Sequence, residues 1–271
     1  MLNYFILLVC AYGVYRWKYG KEKIVNVEQK RIIFLSSAKM NATVILRCFG
    51  QIPGAQIYNQ FAMDPIHPGY TRWDFVDDDH LGKIQNMISL ANRNKSDIFF
   101  HEKVGNISLK ELQILKTNGF SIVLVLRDPR KQFNSLGKSS VGNEKLKMNY
   151  LSVGWGNIEK YFDEAMFDYV IDAVKFLDDN YYRSVVFENL QLKYHPKMAN
   201  NMVRFLGDRF KEICSLQGDK NSLAMSSILL HMDLESVNMD GFNKWEQGFY
   251  PTAFAIYKKI EMKGSFKSSL E

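Results

Sequence analysis

At 271 residues and a formal net charge of +6, the chain suits one α/β domain with a small extension and attracts anionic ligands. Its 46% hydrophobic and 14% aromatic content supplies a large core and excludes a disordered polypeptide. No zinc-finger spacing and no lysine- and arginine-rich tail points to a nucleic-acid partner.

Met1 to Tyr15 carries no charge and is followed by Arg16, Lys18, Lys21 and Lys23. A spanning helix needs roughly 17–25 apolar residues, so this segment is short. It reads first as a single membrane anchor, with membrane association through residues 1–15, and otherwise as a hydrophobic helix packed on the domain. An anchor would place the protein as single-pass, with its basic flank holding the domain on the cytoplasmic face. The alternative localisation is cytoplasmic without an anchor. Residues 1–29 are therefore set apart as an extension and charged linker, and 30–271 as the main domain.

The run Arg31-Ile-Ile-Phe-Leu-Ser36 predicts a strand, Ser37 to Asn41 a tight turn, and Ala42 to Phe49 a helix. Residues 51–80, rich in Pro, Gly, Asp and aromatics, read as an irregular connection. Leu81 to Asn92 has helical periodicity, and Asp97-Ile-Phe-Phe-His101 is a second strand. Leu109 to Asn118 follows as a helix ended by Gly119. The β-branched run Ser121-Ile-Val-Leu-Val-Leu126 predicts a buried parallel strand, after which Arg127-Asp-Pro-Arg opens a helix through Gly137.

Helical patterns fill 147–179, Arg183-Ser-Val-Val-Phe187 reads as another strand, and Pro196 to Leu206 as another helix. Alternating strands and helices predict a doubly wound parallel sheet flanked by helices. The three cysteines, Cys10, Cys48 and Cys214, have neither CxxC spacing nor a compact framework. Buried free thiols at Cys48 and Cys214 are expected before a bridge between them, and no metal site is indicated.

Ligands of such sheets sit beyond the C-terminal strand ends, where Lys39, His101, Glu102 and Arg127 all fall. The turn before Ala42 aims helix N–H groups and the positive end of the helix dipole at one point, a natural anion site. Lys39 can neutralise a terminal phosphate and the Thr43 hydroxyl can join it. Walker-type glycines are missing, but Asn41 tolerates positive φ. Arg127 and Ser135, eight residues apart, could reach one anion if the chain bends at Pro129, or Arg127 could simply pair with Asp128 or another surface acid.

These residues resemble a known family. Ser36-Ser-Ala-Lys-Met-Asn-Ala-Thr43 resembles the 5′-phosphosulfate loop of sulfotransferases, commonly PKSGTTW or PRSGST. Arg127-Asp-Pro-Arg-Lys-Gln-Phe-Asn-Ser135 resembles their 3′-phosphate motif. Val186-Phe-Glu-Asn-Leu190 with Arg204-Phe-Leu-Gly207 looks like the later YEDL…FLG segment, and Gly241-Phe-Asn-Lys-Trp245 is similar to the loop that closes over the nucleotide. The resemblance covers about residues 30–260 in the family's order.

It implies a P-loop-like fold and transfer of a sulfuryl group from 3′-phosphoadenosine 5′-phosphosulfate, as co-substrate, to a hydroxyl or amine acceptor, without a metal. Carried over by position, Lys39, Met40 and the amides of Asn41, Ala42, Thr43 and Val44 hold the 5′-phosphosulfate. Arg127 and Ser135 hold the 3′-phosphate, and Lys244 in the closing loop completes the nucleotide contacts. Phe99-Phe-His-Glu-Lys103 resembles the FEKS and EKTP segments of glycan sulfotransferases, which implies a carbohydrate acceptor. Glu102 is then the general base and Lys103 its partner and substrate contact. Small-molecule members use a histidine near this place, which makes His101 the rival base. Neighbours on a strand face opposite ways, so only one is expected in the cleft.

The chain departs from the family pattern at Ala38, Met40 and Asn41. That departure, with the apolar N-terminus, motivates an alternative: a non-catalytic nucleotide-binding or membrane-associated protein that keeps the fold. A kinase is disfavoured by the missing Walker glycines.

Overall fold

The computed structural model describes residues 29–59, 80–137, 144–200 and 244–263. The apolar segment 1–15, Cys10, Cys214, Arg204 to Gly207, Gly241 to Asn243 and the side chain of Lys244 lie outside what it describes.

The described residues contain five strands: β1 (Arg31–Ser36), β2 (Gln56–Asn59), β3 (Ile98–Lys103), β4 (Ser121–Leu126) and β5 (Tyr169–Asp172). The described helices are α1 (Ala42–Phe49), α2 (His80–Arg93), α3 (Leu109–Thr117), α4 (Pro129–Gly137), α5 (Glu144–Asp163), α6 (Ala173–Asp178), α7 (Asn180–Asn189), α8 (Lys197–Asn200) and α9 (Lys244–Met262). The strands lie in the order β2-β3-β1-β4-β5 and every pairing is parallel. This is the expected doubly wound sheet.

The side-chain period of two splits each central strand between two cores. Ile33, Leu35, Phe100, Ile122, Leu124 and Leu126 pack against buried residues of α2, α3, α5 and α9. Ile32, Phe34, Phe99, Val123, Val125 and Ile171 pack on the other face against α1, α6 and α7. With both faces covered, β1 and β4 read as continuous apolar runs.

Local chemistry sets the element ends. Ser108 and Glu111 form a reciprocal capping box at the start of α3. The same helix ends at Gly119 (φ +77°), where the Phe120 N–H donates to the Leu115 carbonyl. Asp128 caps α4 by accepting from the Arg130 N–H at 2.8 Å, and Pro129 occupies the first helical position.

Three expectations change. Arg183 to Phe187 is helix, not strand, because Asp179 caps α7 through the Tyr181 N–H at 2.7 Å. Arg183, Val186, Phe187 and Leu190 then share one face at helical spacing, the first three of them buried. Arg183 is satisfied there by the carbonyls of Phe176 and Leu177. The missing edge strand is instead Tyr169–Asp172, inside the stretch read as helical, and a second edge strand, Gln56–Asn59, interrupts the segment read as irregular. Both strands are four residues long and pair on one side only, so little apolar pattern marks them.

Phe187 stacks on Phe49 with ring centroids 4.5 Å apart and planes at 6°. Phe49 also meets Phe34 at 4.7 Å and Phe99 at 5.6 Å, so one aromatic cluster joins α1 and α7 to the sheet. Cys48 beside it is buried and free, and burial raises its thiol to about 12. The fully buried Phe187→Ala should cost about 3–5 kcal/mol in urea unfolding, while the exposed Glu188→Ala should stay within about 0.5 kcal/mol.

Candidate functional site

The C-terminal ends of β1, β3 and β4 lie side by side, with Ser36 registered on Lys103 and Leu35 on both Glu102 and Leu124. This is the edge where open α/β sheets bind ligands. Beyond β1 the chain makes a turn through Ser37 to Asn41 and enters α1. Lys39 (φ 61°) and Asn41 (φ 63°) both take the left-handed conformation, which costs non-glycine residues about 1–3 kcal/mol each.

The turn is held from four sides. The Met40 side chain is buried to 1% exposure, and its sulfur accepts from the Ser37 N–H at 3.3 Å. Arg127, at the end of β4, donates from Nη1 to the Lys39 carbonyl at 2.9 Å. Gln132 of α4 donates from Nε2 to the Ala38 carbonyl at 2.7 Å. On α5, Gly154 lies so close that a Cβ there would stand 2.3 Å from Ser37 Oγ.

This architecture brings Lys39 and Arg127 together. Burial, and then the Arg127 guanidinium, lower Lys39 below the usual lysine range. Burial likewise lowers Arg127 to about 10, only partly offset by Asp128. Asp128 itself is taken by Arg130, whose Nη2 lies 2.6 Å from Oδ2, so the expected alternative pairing of Arg127 is not formed. Among the described residues no carboxylate forms an ion pair with Lys39 or Arg127. Arg127 Nε and Asn41 Nδ2 are buried donors with no hydrogen-bond partner among the described residues. Asn41 stands at the N-cap of α1, but its side chain makes no capping bond. Two neighbouring cations and two such donors therefore stand at the N-terminus of α1, an arrangement whose chemistry suits an anion.

The other expected contacts divide. Ala42 and Thr43 lie in the first turn of α1, whose leading N–H groups no helix carbonyl can reach. The Val44 N–H instead donates to the Asn41 carbonyl at 3.0 Å. Ser135 is half-buried on α4.

At the end of β3, His101 and Glu102 point to opposite faces as expected, but both are buried. His101 is 4% exposed, and its Nε2 lies 2.9 Å from Ser36 Oγ on the α1 face. Burial, with a smaller contribution from Lys103, lowers His101 to about 3, so the ring is neutral at physiological pH. Glu102 is 1% exposed; its Oε1 accepts from the Lys103 N–H at 2.8 Å and from Asn106 Nδ2 at 2.7 Å. These bonds staple the 3-10 turn Val104–Asn106 to the strand end. Lys103 is half-buried beside the end of β1.

The residues that hold the turn from α4 and α5 escaped sequence reasoning. Gln132 lies inside the Arg127–Ser135 motif, and Gly154 sits in a helix with no motif to mark it. Among the described residues no group of three or more His, Cys, Asp or Glu could hold a metal, and no helix is long and apolar enough to cross a membrane.

No family model and no curated protein matches the chain. Solved structures similar to it include mouse sulfotransferase SULT7A1 complexed with PAP, 11% identical over 83% of this chain and 83% of that one, with a TM-score of 0.47. The sulfotransferase domain of the Synechococcus PCC 7002 olefin synthase is 12% identical over 83% of this chain and 96% of that one, with a TM-score of 0.43. A structure of the PezAT toxin-antitoxin system of Streptococcus pneumoniae is 14% identical over 74% of this chain and 93% of that one, at 0.35. Two of these three are sulfotransferases.

Proposed function

We propose that the protein is a sulfotransferase that takes 3′-phosphoadenosine 5′-phosphosulfate as donor and a hydroxyl or amine, on a carbohydrate, as acceptor. The observation that carries this reading is the pair Lys39 and Arg127, joined through the Lys39 carbonyl and lacking a carboxylate partner among the described residues. A nucleotide with phosphate groups at both ends of its ribose suits two cations on adjacent strand ends. Lys39, Asn41 and the first-turn amides of α1 would hold the phosphosulfate, and Arg127 with Ser135 the 3′-phosphate. Charge that develops on the leaving phosphate oxygen would then meet fixed donors in a partly desolvated turn, where they act most strongly.

Isothermal titration with 3′-phosphoadenosine 5′-phosphate tests the assignment. The wild-type protein should bind it, and Lys39→Ala and Arg127→Ala should each lose about 1.5–3 kcal/mol, the worth of a charge-assisted contact. Absence of binding to the wild type, or binding indifferent to both variants, sinks the reading.

Transfer needs a proton acceptor for the incoming hydroxyl. In this proposal it is Glu102, whose carboxylate is oriented through Oε1 by Lys103 N–H and Asn106. Glu102→Gln keeps an oxygen for those two donors, so it should spare nucleotide affinity and fold while abolishing turnover. Turnover that survives in Glu102→Gln would leave Glu102 only its role as staple.

His101 serves this reading as a neutral tether of Ser36 rather than as base. Its folded pKa lies below the unfolded value of about 6.5, so the unfolded chain binds the extra proton between the two values. The stabilisation is complete above pH 6.5 and is lost as pH falls toward about 3, at up to about 1.4 kcal/mol per pH unit. Denaturant titrations from pH 7 to 4 should show this slope, and His101→Gln should flatten it.

The burial of both Glu102 and His101 favours one second reading, a nucleotide-binding protein without transfer. It predicts the titration result above together with no labelled product from radiolabelled donor and a pool of hydroxyl and amine acceptors.

A further inference from the structure

The turn from Ser37 to Asn41 keeps two non-glycine residues left-handed, and one buried amide holds its Ala38 carbonyl. Gln132 is wholly buried. Its Oε1 accepts from the indole N–H of Trp155 at 2.9 Å, and its Nε2 donates to the Ala38 carbonyl at 2.7 Å and toward Ser37 Oγ at 3.4 Å. An indole nitrogen can only donate, so Trp155 dictates which end of the Gln132 amide faces it. The opposite, donating end must then face the turn. Trp155 is itself fully buried on α5, one residue from the glycine whose lack of a side chain lets Ser37 pack against that helix.

We propose that Gln132 is a positioning residue for the anion site, oriented by Trp155, and that this relay holds residues 37–41 in the conformation that presents Lys39, Asn41 and the α1 amides. The relay touches no ligand. It acts through the Ala38 carbonyl, one peptide before Lys39, while Arg127 fixes the next carbonyl along. A flipped or missing Gln132 amide leaves the Ala38 carbonyl without its donor and frees the turn to relax from its two left-handed residues. The binding arm of the test rests on the nucleotide reading above; the exchange arm does not.

The test compares the wild-type protein with Gln132→Met, which keeps the volume and removes all three bonds, and Trp155→Phe, which keeps an aromatic ring and removes the orienting donor. Amide hydrogen exchange in the ligand-free proteins should accelerate about five- to tenfold at residues 38–43 in Gln132→Met, while Val123 to Val125 of β4 keep wild-type rates. Trp155→Phe should act in the same places by a smaller factor, and it decides the matter if Gln132→Met does not fold. The dissociation constant for 3′-phosphoadenosine 5′-phosphate should rise in parallel with the local exchange.

Unchanged exchange at 38–43 overturns the proposal, as does acceleration spread evenly through the β4 core, which marks a merely structural residue. Local loosening with unaltered nucleotide affinity also overturns it. Local loosening in a protein whose wild type takes up no nucleotide upholds the positioning role and removes the nucleotide assignment instead.

Discussion

The hydrogen bond from Arg127 Nη1 to the Lys39 carbonyl governs the ends of the sheet. It ties the end of β4 to the turn after β1, and in doing so places two positive side chains together in a partly desolvated corner. Each cation is penalised first by lost hydration, and Lys39 also by its neighbour. An anion bound between them, as proposed above, would offset both penalties. The same turn carries the backbone cost of Lys39 and Asn41 at positive φ. Strain of this kind persists only where the surroundings over-determine it, and Met40, Gln132, Arg127 and the close approach of Gly154 do so here.

The sheet explains why polar chemistry collects at this edge. Both of its faces are covered, so Ile, Val, Leu and Phe fill the central strands and polar side chains appear only at the strand ends. Strand alternation then separates His101 from Glu102. His101 joins Ser36 on the α1 face, and Glu102 joins Asn106 on the other. Each serves the local framework in the free protein. A base role for Glu102 therefore asks the carboxylate to do two things at once, to brace the turn at Val104–Asn106 and to receive a proton.

Much of this was legible in the chain. The segment Arg31 to Phe49 appears in the structure with the bounds its pattern suggests, because the apolar run, the small polar turn and the helical stripe all act locally. The run Ser121 to Leu126, the Asp-Pro start of α4 and Gly119 after α3 were readable for the same reason. The Arg183 to Phe187 run was not. Its β-branched residues suggest a strand, yet the cap at Asp179 and the stack of Phe187 on Phe49 make it a helix. Tertiary packing overrode a weak local preference.

By itself the sequence determined the parallel sheet, the bounds of its central strands and the residue types at the turn after β1, since periodicity, capping and turn chemistry act over a few neighbouring positions. Only the tertiary structure decided which of those groups meet. The contact of Arg127 with Lys39 spans 88 residues and that of Gln132 with Ala38 spans 94, distances over which no local pattern carries information. It also decided that Asp128 pairs with Arg130 rather than Arg127, and that His101 and Glu102 are both buried. Burial and long-range pairing are properties of the packed chain, and they bring a lysine and an arginine from distant segments together.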